Sequence, residues 1–272
     1  MKIHFLGTAA AEGFPNSFCQ CEACAKAWEL GGKNIRTRSS AIIDDVLKFD
    51  YSPDSYMQAL RDKLNYGRLE HLIVTHTHAD HYNPADLFCR VEGFAHGLRH
   101  PLHLYGNDSV MSKGRSALGR FDSSQFVFHL LRPFQPFAAG DATITPLLAD
   151  HDKFETCLLY VIEKDGKRVL YGHDTGWFPE ATWEWLKGKR LDFAILDCTH
   201  GYTSNNRNPN HMGVETIFEV QRVFREEGVL AGDGQIAVTH FTHNSGLLHD
   251  DFIGIFEPAG ILVAYDSLVV HI

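Results

Sequence analysis

The stretch IVTHTHADHYNP, Ile73 to Pro84, sets three histidines and one aspartate within the six residues from His76 to His81. A helix would scatter these side chains around its circumference. The apolar run HLIVTH reads instead as a buried strand ending at His76. The residues after it then lie in a loop at the sheet edge, where side chains can converge on one point. Imidazole nitrogens and a carboxylate suit zinc, manganese or iron. Four donors from one loop, His76, His78, Asp80 and His81, exceed what a single open catalytic ion takes, so two adjacent ions are expected.

Further ligands should come from other strand ends. His151 follows ITPLLAD, Asp174 ends RVLYGHD and His240 ends QIAVTH, each a polar residue just after an apolar run. His173 is read as a neighbour rather than a ligand, because adjacent strand residues point to opposite faces. A second cluster, CQCEAC, holds Cys19, Cys21 and Cys24. Disulfides between such close neighbours are geometrically awkward, and a metal explains the spacing better. Cys89, Cys157 and Cys198 lie in apolar surroundings and read as inert core residues.

The remaining chain bounds the problem. Its 272 residues can bury a substantial core, and a net charge of −9 argues against nonspecific nucleic-acid binding. No stretch approaches the roughly 20 apolar residues of a membrane span. The N-terminus MKIHFLGTAA is too short in its apolar part for a signal peptide and reads as an opening strand, so a cytoplasmic protein is expected.

Strands are expected at KIHFLG, SSAIIDDVLKFD, HLIVTH, PLHLYG, FVFHLL, ATITPLLAD, DFAILDCTH, QIAVTHF and ILVAYDSLVV. In CLLYVIEKDGKRVLYGHD, the KDGK turn signals a hairpin. Helical patterns run over Pro53–Leu64, Pro84–His96, Asp108–Leu118, Pro179–Lys187, Gly213–Glu227 and His249–Phe256. No repeat or linker divides the chain, so residues 1–272 read as one α/β domain of two mixed sheets flanked by helices.

HTHADH resembles the HxHxDH signature of the metallo-β-lactamase superfamily, with His151, Asp174 and His240 in the expected order. The resemblance implies a four-layer αββα sandwich with two metal ions at the edge between the sheets. Mapped by motif, His76, His78 and His151 would hold one ion, Asp80, His81 and His240 the other, and Asp174 would bridge them. The diiron redox branch carries Glu where this chain has His78, so the resemblance favours hydrolysis.

GTAAAEGFPNSFCQCEACAKAW resembles the N-terminal segment of the phosphoribosyl cyclic phosphodiesterases of carbon–phosphorus lyase phosphonate breakdown. That likeness implies a structural zinc on Cys19, Cys21, Cys24 and His243, pinning an N-terminal loop at 19–24 beside the active centre. It further implies two active-site divalent ions (Mn or Zn), a small-molecule phosphodiester substrate and a metal-bridged hydroxide. Asp80 is then both ligand and orienter of the water. His211, in NRNPNHMGVETIF, takes the part of general acid, with His200 of LDCTHG as second candidate. A helix N-terminus disfavours a charged imidazole there, so a bound phosphate would have to restore its proton.

The segment from His211 to His240 is longer than this likeness leads one to expect, EEGVLAGDGQ being the extension, so the substrate can differ. Arg36 and Arg38 are candidate phosphate contacts. Other readings are an RNA-processing endonuclease, a lactone or thioester hydrolase, and a non-catalytic cofactor-biosynthesis accessory protein. Neither membrane nor nucleic acid is expected as a partner, and a homodimer stays open.

Overall fold

The computed structural model describes residues 1–119, 123–202 and 210–272. Six strands begin the first sheet: β1 (Lys2–Gly7), β2 (Ser40–Ile43), β3 (Leu47–Phe49), β4 (His71–Ile73), β5 (Leu102–Gly106) and β6 (Phe126–Leu130). Seven make the second: β7 (Phe137–Ala139), β8 (Ala142–Leu148), β9 (Leu158–Lys164), β10 (Lys167–Gly172), β11 (Leu191–Asp197), β12 (Leu230–Thr239) and β13 (Ile261–Val263). The last strand, β14 (Val269–His271), returns to pair with β1. The orders are β14-β1-β2-β3-β4-β5-β6 and β13-β12-β11-β10-β9-β8-β7.

Two-residue alternation explains why the sheets face each other. On β9, Leu158, Tyr160 and Ile162 enter the core between the sheets, whereas Leu159 and Val161 face the helices. On β2 and β4, Ala41, Ile43 and Ile73 point inward, while Ile42 and Leu72 point out. The outer face of the second sheet is covered by α4 (Glu180–Leu186), α5 (Val214–Glu226) and α6 (His249–Phe256). Helix α5 buries Val214, Ile217, Val220 and Phe224, each worth about 1.5–3 kcal/mol of burial. The first sheet is covered by α3 (Asp108–Leu118) and the short 3₁₀ helix Pro84–Arg90. This is the expected αββα sandwich. Two more helices are α1 (Glu22–Leu30), which begins within the cysteine cluster, and α2 (Ser55–Arg61), which follows β3.

Strand direction positions the site. Strands β3 to β6 run parallel, as do β10 to β13, so their carboxyl ends meet at one edge of the sandwich. Ligands of open α/β sheets gather at such edges.

Several expectations need correction. The strand at HLIVTH stops at Ile73, because the Thr75 amide turns to donate to Asp50 Oδ1 (2.8 Å) and the Thr75 carbonyl accepts from Leu158 of the other sheet (3.1 Å). The helix expected over Pro84–His96 is only the 3₁₀ turn to Arg90, and Gly93 and Gly97 beyond it adopt positive φ. Cys89 is exposed, not core, whereas Cys157 and Cys198 are buried. ILVAYDSLVV divides at a left-handed Ser267 between β13 and β14, which lie in different sheets. The loop at 19–24 runs only to Cys21, which caps α1, and this helix carries Cys24 in its first turn. The EEGVLAGDGQ stretch runs from the last residue of α5 through residues 227–229 into β12, where the pairing with β11 jumps from Leu230 to Gln235.

Candidate metal centre

The seven expected donors meet. His76, His78 and His151 bring their ligand atoms within 4.8 Å of one another, and so do Asp80, His81 and His240. Asp174 joins His76 and His81 in one such group and His240 in another, which places it between the two sets. Its Oδ2 lies 2.5 Å from His81 Nε2, and its Oδ1 lies 3.1 Å from His240 Nε2. Asp80 Oδ2 is 3.1 Å from His81 Nε2 and 3.8 Å from His240 Nε2.

Each imidazole is anchored at one nitrogen, leaving the other for the centre. His81 Nδ1 donates to Asp50 Oδ2 at 2.8 Å. His76 Nδ1 sits 2.9 Å from Thr75 Oγ1, and that hydroxyl donates to Asp50 Oδ1 at 3.0 Å. The second sheet repeats the device. His211 Nδ1 lies 2.7 Å from Asp197 Oδ2, while His240 Nδ1 lies 2.8 Å from Thr199 Oγ1, which donates to Asp197 Oδ1 at 2.8 Å. His78 rests its Nε2 on Asp152 (3.0 Å), and His151 its Nδ1 on the Asn210 carbonyl (3.0 Å). Such anchors fix the tautomer and the aim of metal-binding histidines. Asp50 and Asp197 are both fully buried, and sequence reasoning missed them. A signal existed: each closes an apolar run, VLKFD and FAILD.

Left to themselves, the inward atoms are badly matched. His76 Nε2 is buried without a hydrogen-bond partner among the described residues, and the close contacts of His81 Nε2, His240 Nε2 and Asp174 Oδ2 with one another and with the other carboxylate oxygens lack hydrogen-bond geometry. Burial works against a charged His81, yet Asp174, Asp80 and Asp50 together hold its pKa well above that of a free imidazole. Burial likewise opposes ionisation of Asp174, and His240 and His81 overcome it, holding the carboxyl well below its usual range. The pocket therefore demands positive charge at its centre, and its nitrogen and oxygen lone pairs suit divalent ions. His173 is packed beneath the site, its ring 5.8 Å from that of His81 and 5.6 Å from that of His240.

Three residues turn sharply to reach this edge. Asp50 (φ 58°), Asp174 (φ 58°) and His240 (φ 63°) follow β3, β10 and β12 in the left-handed region. Each such conformation costs about 1–3 kcal/mol, which the surrounding hydrogen bonds must offset.

Above the donors opens a cavity of about 320 Å³ walled by Glu12, Asn210, Thr242 and Asn244 as well as by His200 and His211. Burial opposes protonation of His211, but Asp197 outweighs it and pushes the pKa up to about 9. The charge expected to need a bound phosphate is thus supplied by a buried carboxylate. His200 goes the other way, lowered chiefly by burial. In the stretch preceding His211, Asn206–Pro209 lie outside the described residues. Arg36 is not a phosphate contact: it is buried and donates to Thr8 (2.8 Å), the Ala264 carbonyl (2.7 Å) and His249 (3.0 Å). Arg38 is paired with Asp54 (2.9 Å) and does not line the cavity.

The cysteine cluster closes beside this cavity. Cys19, Cys21, Cys24 and His243 bring their donor atoms within 4.8 Å of one another, with the two nearer sulfurs 3.6 and 3.5 Å from His243 Nδ1. The backbone amide of Cys24 is the main cause that lowers the Cys21 thiol to about 6, whereas burial raises Cys24 to about 12. The other nitrogen of His243 lies 3.6 Å from Glu12, which also accepts from Thr242. Among the described residues no helix is long and apolar enough to cross a membrane.

The sequence description of the beta-lactamase superfamily domain matches residues 47–251. No curated protein matches the chain. Among solved structures, a diphosphatase from the PhnP family is similar over 99% of this chain and 97% of its own, with a TM-score of 0.76 and 23% identity. Zinc-bound PqqB from Methylobacterium extorquens is similar over 100% of both chains, with a TM-score of 0.74 and 18% identity. The short form of human tRNase Z covers 100% of this chain and 99% of its own, at 0.70 and 16%. At these identities the likenesses speak to the fold alone.

Proposed function

Because the chain belongs to the beta-lactamase superfamily, we propose that it is a dinuclear-metal hydrolase of small cyclic phosphodiesters of the phosphoribosyl type, with His211 as general acid. In this reading His76, His78 and His151 hold one divalent ion, Asp80, His81 and His240 the other, and Asp174 both. Manganese or zinc suits these donors. Cys19, Cys21, Cys24 and His243 hold a separate structural zinc, a closed Cys3His set. Bound ions supply an acidified water and charge to match the phosphoryl oxygens.

The chain's own contribution is proton control and orientation. The observation that carries the reading is His211 on the wall of the donor cavity, paired with the buried Asp197. With Nδ1 held by Asp197, His211 has Nε2 without a hydrogen bond among the described residues and a proton available at neutral pH. When the phosphorus–oxygen bond breaks, that proton passes to the departing sugar oxygen, a poor leaving group without it. His200, lowered by burial, is less often protonated at neutral pH and so has less proton to give. Asp80 holds its carboxylate beside His81 and His240, where it can also orient the attacking water. A net charge of −9 runs against a long RNA substrate and suits a small one taken up in the cytoplasm.

The test is leaving-group dependence. His211→Ala should lose about 10²–10⁴-fold on ribose 1,2-cyclic phosphate, whose alkoxide needs the proton, and far less on bis(p-nitrophenyl) phosphate. Equal losses on both substrates would remove His211 as the acid. Opening of an acyl lactone by the parent enzyme, without phosphodiester cleavage, would overturn the reaction class.

A further inference from the structure

A second cavity, of about 310 Å³, lies behind the metal loop rather than above it. Small-molecule sites begin at about this size. Its walls are apolar, supplied by Tyr51, Leu64, Tyr66, Leu87, Leu98 and Leu102. One cation stands among them. Arg90 is only 9% exposed and forms no ion pair among the described residues. Its two Nη groups donate to the carbonyls of Tyr66 (3.4 Å) and His100 (2.7 Å), while its Nε is buried without a partner.

The Tyr66 hydroxyl is likewise buried without a partner. Behind the aromatic wall the Lys48 amine sits 5.3 Å from the Tyr66 ring and 5.8 Å from that of Tyr51. The carboxylate on the lining, Asp86, is exposed and accepts from Asn83 at 2.8 Å. With carbonyls as its partners and no carboxylate paired to it among the described residues, the guanidinium is poorly compensated for its burial. An occupant with an anionic oxygen head and an apolar body would pair with this charge and fill the walls.

The geometry points to a binding site here for an amphiphilic monocarboxylate, its head on the Arg90 guanidinium and its apolar body along Leu64, Leu87 and Leu102. The wall is continuous with the metal loop: the Tyr51 amide donates to the His81 carbonyl (2.7 Å), and the Tyr51 carbonyl accepts from Asn83 (2.8 Å).

Calorimetric titration of the metal-loaded protein with decanoate, and with decanol as its neutral match, tests this directly. Decanoate should bind once per chain and at least tenfold more tightly than decanol. Arg90→Met should remove that preference. Leu60→Glu, a change at an exposed position of the lining, should weaken decanoate at least tenfold without disturbing the fold, and both variants should keep parental hydrolytic turnover. Cys89, an exposed thiol on the same lining, reports location: decanoate should slow its alkylation by iodoacetamide, read on the Cys89 peptide by mass spectrometry. No binding, equal affinity for decanol, or binding that leaves Cys89 alkylation unchanged would each overturn the proposal.

Discussion

Lys48 is fully buried on β3, hydrogen-bonded to Ser40 and flanked by the rings of Tyr51 and Tyr66. Burial lowers its pKa from the ordinary 10.5 to about 7, and the nearby Asp50 only partly opposes this. The sign for stability follows. Between about pH 7 and 10.5 the unfolded chain holds more protons at this site than the folded one, so stability rises with pH through that window. The slope contributed is at most about 1.4 kcal/mol per pH unit. Lys48→Met should therefore be more stable than the parent at pH 7, and the gap should shrink by pH 10. Guanidinium unfolding at both pH values measures it, and a gap independent of pH would mean that Lys48 does not titrate there. At this scale sequence reasoning succeeded for donors and failed for their supports. Asp50 and Asp197 follow apolar runs just as Asp174 does, and nothing in the residues themselves separates a carboxylate that faces an ion from one that holds an imidazole.

The strand ends carry the site because parallel strands deliver their last residues to one edge, and the alternation of buried residues made most strands legible. Where the pattern misled, a backbone feature intervened. Ser267 turns ILVAYDSLVV from one sheet into the other, and Gly93 and Gly97 bar a helix after Arg90. Helix α1 is masked in the sequence by cysteines whose spacing suits metal ligands, although Cys21 also accepts the Cys24 amide as a helix cap. The exit of β1 shows how tightly such joints are made. A β-carbon on Gly7 would lie 2.0 Å from the Arg38 carbonyl oxygen and 2.5 Å from Gln58 of α2. The first is backbone, so relief requires moving β1 or the chain at Arg38. Gly7→Ala should cost about 3 kcal/mol or more, above the usual range for a single substitution. A thermal midpoint within 1–2 °C of the parent, a shift of well under about 1 kcal/mol, would show that this joint is slack.

Across the molecule, the cysteine cluster joins segments more than two hundred residues apart. Ala10 donates to the Phe241 carbonyl (3.0 Å) and Phe241 to the Thr8 carbonyl (2.9 Å), so the segment leading to the cysteines already lies against the strand end that carries His240. Ala10, Ala11 and Glu12 of that segment wall the donor cavity, and Glu12 also reaches Thr242 and His243. A zinc on Cys19, Cys21, Cys24 and His243 would thus hold one wall of the substrate cavity without touching the seven donors. Zinc binding to such sets is worth about 10–16 kcal/mol where folding depends on it. Here the two sheets close without the cysteines, so the loss should fall on the wall. Cys24→Ser should bind one zinc fewer per chain by mass spectrometry and keep both sheets. Its KM should rise at least fivefold with kcat changed less than twofold, since the wall positions substrate and the donors do the chemistry. A kcat that falls together with metal loss at the donor site would instead make the cluster a support of the metal centre itself.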